Sequence, residues 1–207
     1  MFAAGVDFLT SGNHIWDKRE FRAELDETDR IIRPANYPPG SPGRGSGMIE
    51  ADGVKVGVLN VMGRVFMPSA DDPFRVAREM VEMLREQTAV VVVDMHAEAT
   101  SEKMAMGRFL DGSVSLVYGS HTHVQTADEQ IFSGGTAYIT DVGMTGPMDG
   151  VIGMETSGVL QRFTQAYGER FSVQKTGPRQ FCAAVVTVEV ATGRAVDFKR
   201  INLRGLA

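Results

Sequence analysis

The chain has 207 residues, 43% hydrophobic and 23% charged, with a formal net charge of −5 and one cysteine. That length and balance suit one globular domain with an ordinary core and exclude a disordered or collagen-like chain. The acidic balance excludes a general nucleic-acid coat, which needs basic charge against the phosphates. The lone Cys182 excludes an internal disulfide framework and fits a reducing, cytoplasmic compartment.

No apolar run approaches the ~18 residues needed to span a bilayer. The opening MFAAGVDF lacks a basic n-region, so no signal peptide is expected. Val6–Thr10 predicts a short buried strand, and Asp17–Leu25 carries a helical charge pattern. Pro38–Gly47 is a turn-rich loop. Asp52-Gly53 marks a hairpin turn before the strand-like Val54–Val61. Asp72–Arg85 predicts an amphipathic helix with Val76, Met80, Met83 and Leu84 on its apolar face, the methionines as core filler. Ala89–Met95 is a β-branched run suited to a buried central strand. A helix over Ser101–Leu110 and strands over Val114–Tyr118 and Thr136–Thr140 follow. A glycine-rich loop from Val142 to Gly153 leads to a helix over Ser157–Tyr167. Phe181–Val190 and Ala195–Ile201 predict a terminal antiparallel hairpin. Alternating strands and helices with antiparallel pieces at the end define an α/β domain with a mixed sheet.

The four histidines, His14, His96, His121 and His123, each follow a strand-like run. Ligands of open α/β sheets bind at the carboxyl ends of strands, so three such ends would bring four imidazoles to one edge. Imidazoles with amide and carboxylate oxygens suit Mn, Fe or Zn, although core histidines satisfied by hydrogen bonds are the alternative.

Longer blocks around these histidines carry a family resemblance. Gly12-Asn13-His14, His96 after its strand-like run and Gly119-Ser120-His121-Thr122-His123 resemble the last three motifs of the calcineurin-like metallophosphoesterases. Gly12-Asn13-His14-Ile15-Trp16-Asp17-Lys18, Arg33-Pro34-Ala35-Asn36, the block from His96 to Lys103, the block from His121 to Asp128 and Thr140–Gly146 are similar to the bacterial YmdB-type cyclic-nucleotide phosphodiesterases. The resemblance implies a sandwich of two mixed β-sheets flanked by helices and a site for two divalent metal ions, Fe or Mn, with Zn as an alternative. It implies that Asn13, His96 and His121 hold one ion and His123 the other. His14 would face the scissile phosphate as a general acid or a clamp. A small phosphodiester of the 2′,3′-cyclic-nucleotide type is the implied substrate, and self-association is the implied quaternary state.

Gly-Asp-x-x-Gly and Asn-Gly-Glu-Asn, which the family places ahead of these blocks, do not occur. The expectation is a single domain over residues 1–207 that lacks its N-terminal strands, exposes a sheet edge, holds at most one metal tightly and turns over weakly or not at all. Two rivals stand beside it: a non-catalytic binding or oligomerisation fragment, and a single-metal zinc-type hydrolase built on His96, His121 and His123.

Among the remaining residues, Glu98 and Glu102 are expected to steady a histidine or face solvent. Asp94 is a candidate orienting acid; Asp128 and Asp141 suit turns as well as a site. Trp16 either stacks on a base or packs, and Cys182 reads as a buried, inert thiol. No Gly-Lys pair or Gly-x-Ser-x-Gly elbow is present, which excludes a P-loop and a serine-hydrolase nucleophile turn.

Overall fold

The computed structural model describes residues 1–165, 167–168 and 170–206. In chain order it forms α1 (Phe21–Glu27), β1 (Ser46–Ala51), β2 (Val54–Met62), α2 (Pro73–Arg85), β3 (Val91–His96) and α3 (Thr100–Phe109). There follow β4 (Leu116–Ser120), β5 (Gln130–Ile131), β6 (Ala137–Ile139), β7 (Gly146–Pro147), α4 (Thr156–Thr164), β8 (Arg179–Val188) and β9 (Ala195–Leu206).

The valine run becomes β3 because β-branched side chains fit a pleated surface covered on both faces. Val91, Val93, Asp94 and Met95 are all buried. Parallel neighbours β2 and β4 flank this strand, in a six-stranded mixed sheet ordered β1-β2-β3-β4-β6-β5. The antiparallel strands β1 and β5 form its edges. Asp72 starts α2 by accepting the Phe74 amide at 3.0 Å, and Pro73 occupies a first-turn position where no amide is needed. Helix α2 buries Pro73, Ala77, Val81 and Leu84 against β2 and β3. The apolar face is thus rotated from the expected one: Val76 and Met80 sit at its margin and Met83 is exposed. A Cβ on Gly107 of α3 would come within 2.4 Å of the Tyr138 ring, so only glycine permits this close seat.

The expected strand over Val6–Thr10 does not form; the segment makes one parallel bridge, Leu9 to Ile31. A single bridge lacks the successive ladder bonds that define a strand. The charge pattern over Asp17–Leu25 places the helix start too early: residues 17–20 are bend and turn, and α1 begins at Phe21. The helix expected to reach Tyr167 ends at Thr164, and position 166 lies outside the described residues.

The second sheet, β7-β8-β9, is wholly antiparallel rather than mixed. Gln125 ties it to the first by donating from Nε2 to the Ala183 and Ile201 carbonyls at 3.2 and 3.0 Å. Cys182, on β8, is half-buried rather than buried, and burial pushes its thiol up from the ordinary value. No helix among the described residues is long and apolar enough to cross a membrane.

Candidate metal centre

Parallel register builds the site. His96 ends β3 opposite Ser120, which ends β4, and Asp94 lies opposite Tyr118 one pleat earlier. His96 and Ser120 therefore share one face at the carboxyl edge of the sheet, with Asp94 two residues behind on the same face. The Ser120 hydroxyl donates to Asp94 Oδ1 at 2.7 Å, and His96 Nδ1 lies 2.9 Å from Ser120 Oγ. A serine hydroxyl has one proton, and here it is committed to Asp94. His96 Nδ1 must then donate to Ser120, which leaves a lone pair on Nε2. Burial, reinforced by His121 and Lys103, lowers the His96 imidazole to about 3, so the ring is neutral. Asp94, expected as a candidate orienting acid, acts through Ser120. Burial raises its carboxyl to about 6 against the pull of Thr10 and Ser120.

His96 Nε2 faces Asn13 Oδ1 at 2.9 Å and His121 Nδ1 at 3.2 Å. The far nitrogen of His121, Nε2, lies 3.2 Å from the Glu98 carboxylate. That carboxylate accepts the ring proton and leaves the lone pair on Nδ1. Burial also lowers the His121 pKa, although Glu98 opposes it. Three electron-pair donors, Asn13 Oδ1, His96 Nε2 and His121 Nδ1, thus meet with no proton between them. Mutually facing acceptors are unfavourable unless a cation lies among them, and an amide oxygen with two neutral imidazoles is a suitable set for Mn, Fe or Zn. The residues present fit a divalent metal.

The four expected ligands are not equally placed. His123 donates from Nδ1 to the Ile152 carbonyl at 2.7 Å and is exposed. Among the described residues no three His, Cys, Asp or Glu side chains group where they could hold a metal. His96 and His121 meet each other and the Asn13 amide, while His123 turns to the Ile152 carbonyl. His14 is 77% exposed at its side chain, with Nδ1 2.9 Å from Asp17 Oδ2. It lines the same cleft, about 520 Å³ in volume, as Asn13, His96 and His121.

Gly12 permits the approach of Asn13 to His96, since a Cβ there would lie 2.2 Å from His96 Cε1 and Nε2. The His121-Thr122-His123 turn is held in a strained form, with φ 99° at His121 and 66° at His123. Asp141 clamps its middle residue: Oδ2 accepts the Thr122 amide at 3.1 Å and its hydroxyl at 2.7 Å. The same oxygen pairs with Lys103 Nζ at 2.7 Å, both side chains being 1% exposed, and Oδ1 accepts the Gly143 amide at 2.9 Å. Sequence reasoning missed Lys103 and Ser120. A lysine on a polar helix reads as solvated, while Ser120 was legible only as a neighbour of His121. Glu102 lies off the cluster and accepts the amides of Arg64 and Val65. Asp128 serves a turn, accepting from Thr126 and Thr140. Trp16 packs against Tyr37 with ring centroids 4.4 Å apart.

The mixed α/β fold matches solved structures, a phosphatase among them. A hypothetical protein from Thermus thermophilus superposes with a TM-score of 0.91 at 42% identity, covering 99% of this chain and 79% of that one. A phosphatase from Mycoplasma pneumoniae gives 0.89 at 34% identity, covering 98% and 74%. Fold and kinship make the chain an enzyme of the hydrolase class. More particularly, residues 1–201 match the YmdB-like protein family, to which the chain belongs. A 2′,3′-cyclic-nucleotide 2′-phosphodiesterase of Bacillus subtilis (strain 168) is 44% identical over 201 residues, covering 97% of this chain and 76% of the relative.

Proposed function

We propose that the chain is a metal-dependent phosphodiesterase that hydrolyses 2′,3′-cyclic nucleotides or related small phosphodiesters in this cleft. The observation that supports it best is the convergence of three unprotonated donors, Asn13, His96 and His121, with the protons of both rings turned outward to Ser120 and Glu98. Those three residues would hold one divalent ion, Fe or Mn with Zn as the alternative, and His123 the second. Bound there, the ions supply a water acidified towards neutral pH and positive charge for the phosphoryl oxygens.

The chain's own residues do the rest. Asn13, His96 and His121 bring no negative charge, so an anionic diester meets an undiminished positive field. Ser120 and Glu98 keep the ring nitrogens oriented, which preserves ligand geometry between turnovers. His123, its Nδ1–H on the Ile152 carbonyl, keeps Nε2 free for a ligand. His14 has Nδ1 engaged by Asp17 and offers Nε2 to the leaving oxygen or to a phosphoryl oxygen. This route needs no side-chain nucleophile. The same reading places the enzyme in the cytoplasm as a self-associating protein.

The test is hydrolysis of 2′,3′-cyclic AMP with Mn²⁺. Activity should vanish with a chelator, return with metal, and fall about a hundredfold or more in His96→Ala and His121→Ala. Absence of metal-dependent hydrolysis in the wild-type chain overturns the reading. Calorimetric titration counts the seats: one tight equivalent is expected from three donors at one point, with a weaker second at His123.

A further inference from the structure

The cleft has two chemically different walls. One carries the imidazoles of His96 and His121. The opposite wall comes from the loop after β7 and from α4 and the residues beyond it, and is set by Ile152, Met154, Val159, Phe163 and Phe171. Phe163 is 82% exposed, Ile152 50% and Phe171 44%. An aromatic ring left this open beside a polar centre marks a place where a ligand or a partner completes the packing. Two contacts fix the wall. His123 holds the Ile152 carbonyl at 2.7 Å, tying the wall to the histidine turn. The Arg162 guanidinium lies over the Phe171 ring, 5.4 Å from its centroid, which steadies that ring's plane.

We infer that this apolar wall is the subsite for the base of a nucleoside phosphodiester, with Phe163 as its principal stacking residue. The inference rests on the phosphodiesterase reading and deepens it. A phosphate bound at the imidazole wall can carry its ester group in only a few directions, and the cleft continues from that wall to the aromatic one. A volume of about 520 Å³ is larger than a phosphate needs and falls in the range of sites that enclose a whole small molecule. Aromatic side chains accept every base through its π-face, so such a wall favours nucleosides over base-free diesters without demanding one base.

The experiment compares 2′,3′-cyclic AMP with glycerol 1,2-cyclic phosphate, which has the same five-membered diester and no base. Wild-type kcat/KM should favour the nucleotide. Phe163→Ala should cut that preference about tenfold through KM, with kcat and the glycerol ester unchanged. An unchanged preference, or equal losses on both esters, overturns the inference, and so does a changed gel-filtration mass, which would make the wall a contact between copies. If the wild-type chain hydrolyses neither ester, the phosphodiesterase reading fails. The wall is then judged by equilibrium binding of adenosine 2′-monophosphate against inorganic phosphate. Selective weakening of the nucleotide in Phe163→Ala supports the wall, and equal binding to both proteins overturns it.

Discussion

Asp141→Asn tests whether the histidine turn is held by charge or merely by shape. The amide is nearly isosteric with the carboxylate, so packing is conserved. Lys103, 1% exposed, is left as a buried cation facing a neutral group. Removing one partner of a buried pair costs roughly 3–5 kcal/mol. The amide also offers one acceptor oxygen where four protein groups now donate: Lys103 Nζ, the Thr122 amide and hydroxyl, and the Gly143 amide. For a domain of this length the loss corresponds to a fall in Tm of roughly 6–20 °C. Urea denaturation and thermal melts of Asp141→Asn, Lys103→Met and the double variant form a cycle. The double variant removes both charges, and the Lys103 stem already packs beside Gly119, where methionine fits. It should be more stable than Asp141→Asn alone. Losses that simply add, or a single variant within about 1 kcal/mol of wild type, would refute the argument that the pair is coupled.

Other expectations follow from the same geometry. Gly12→Ala places a methyl 2.2 Å from the His96 ring, so metal affinity should fall sharply in calorimetry while the circular dichroism spectrum is kept; unchanged affinity would contradict the close approach. Ser120→Ala frees the His96 ring from its proton acceptor, and metal binding should weaken by about 10- to 100-fold, with equal affinity counting against the tautomer argument. Gly119→Ala puts a Cβ 1.7 Å from the Thr140 carbonyl, a backbone atom that cannot yield, and soluble folded protein should be lost; a well-folded variant would show that β4 can shift away from Thr140.

Legibility in the sequence followed locality. Strand β3 was visible because β-branching is a property of adjacent residues, and α2 because its period spans a few turns. Its face was misjudged because Met83 and Ala77 differ by tertiary contact, which hydropathy does not encode. Strand β1 was hidden behind a glycine-rich loop and exists through pairing with β2. Asn13, His96 and His121 stand together as a ligand set through the family resemblance; strand-like runs in the sequence point to His96 and His121, while no strand forms ahead of Asn13. The Asp94–Ser120–His96 relay and the Lys103–Asp141 pair were not legible, because each joins residues 24 or more apart in sequence. His123 was grouped with the other histidines by proximity in the chain, yet its hydrogen bond carries it to the wall of Ile152.

The positive φ angles at His121 and His123 have an evolutionary corollary. Each position asks an L-residue to adopt a conformation that costs on the order of 1–3 kcal/mol and that glycine or asparagine would accept more easily. Relatives selected for chemistry should keep imidazoles there despite the conformational cost. Lineages released from that selection would drift towards glycine and become harder to melt as they fall silent. The residue type at these two positions would then serve as a fossil record of activity, legible without an assay in any sequence of this fold.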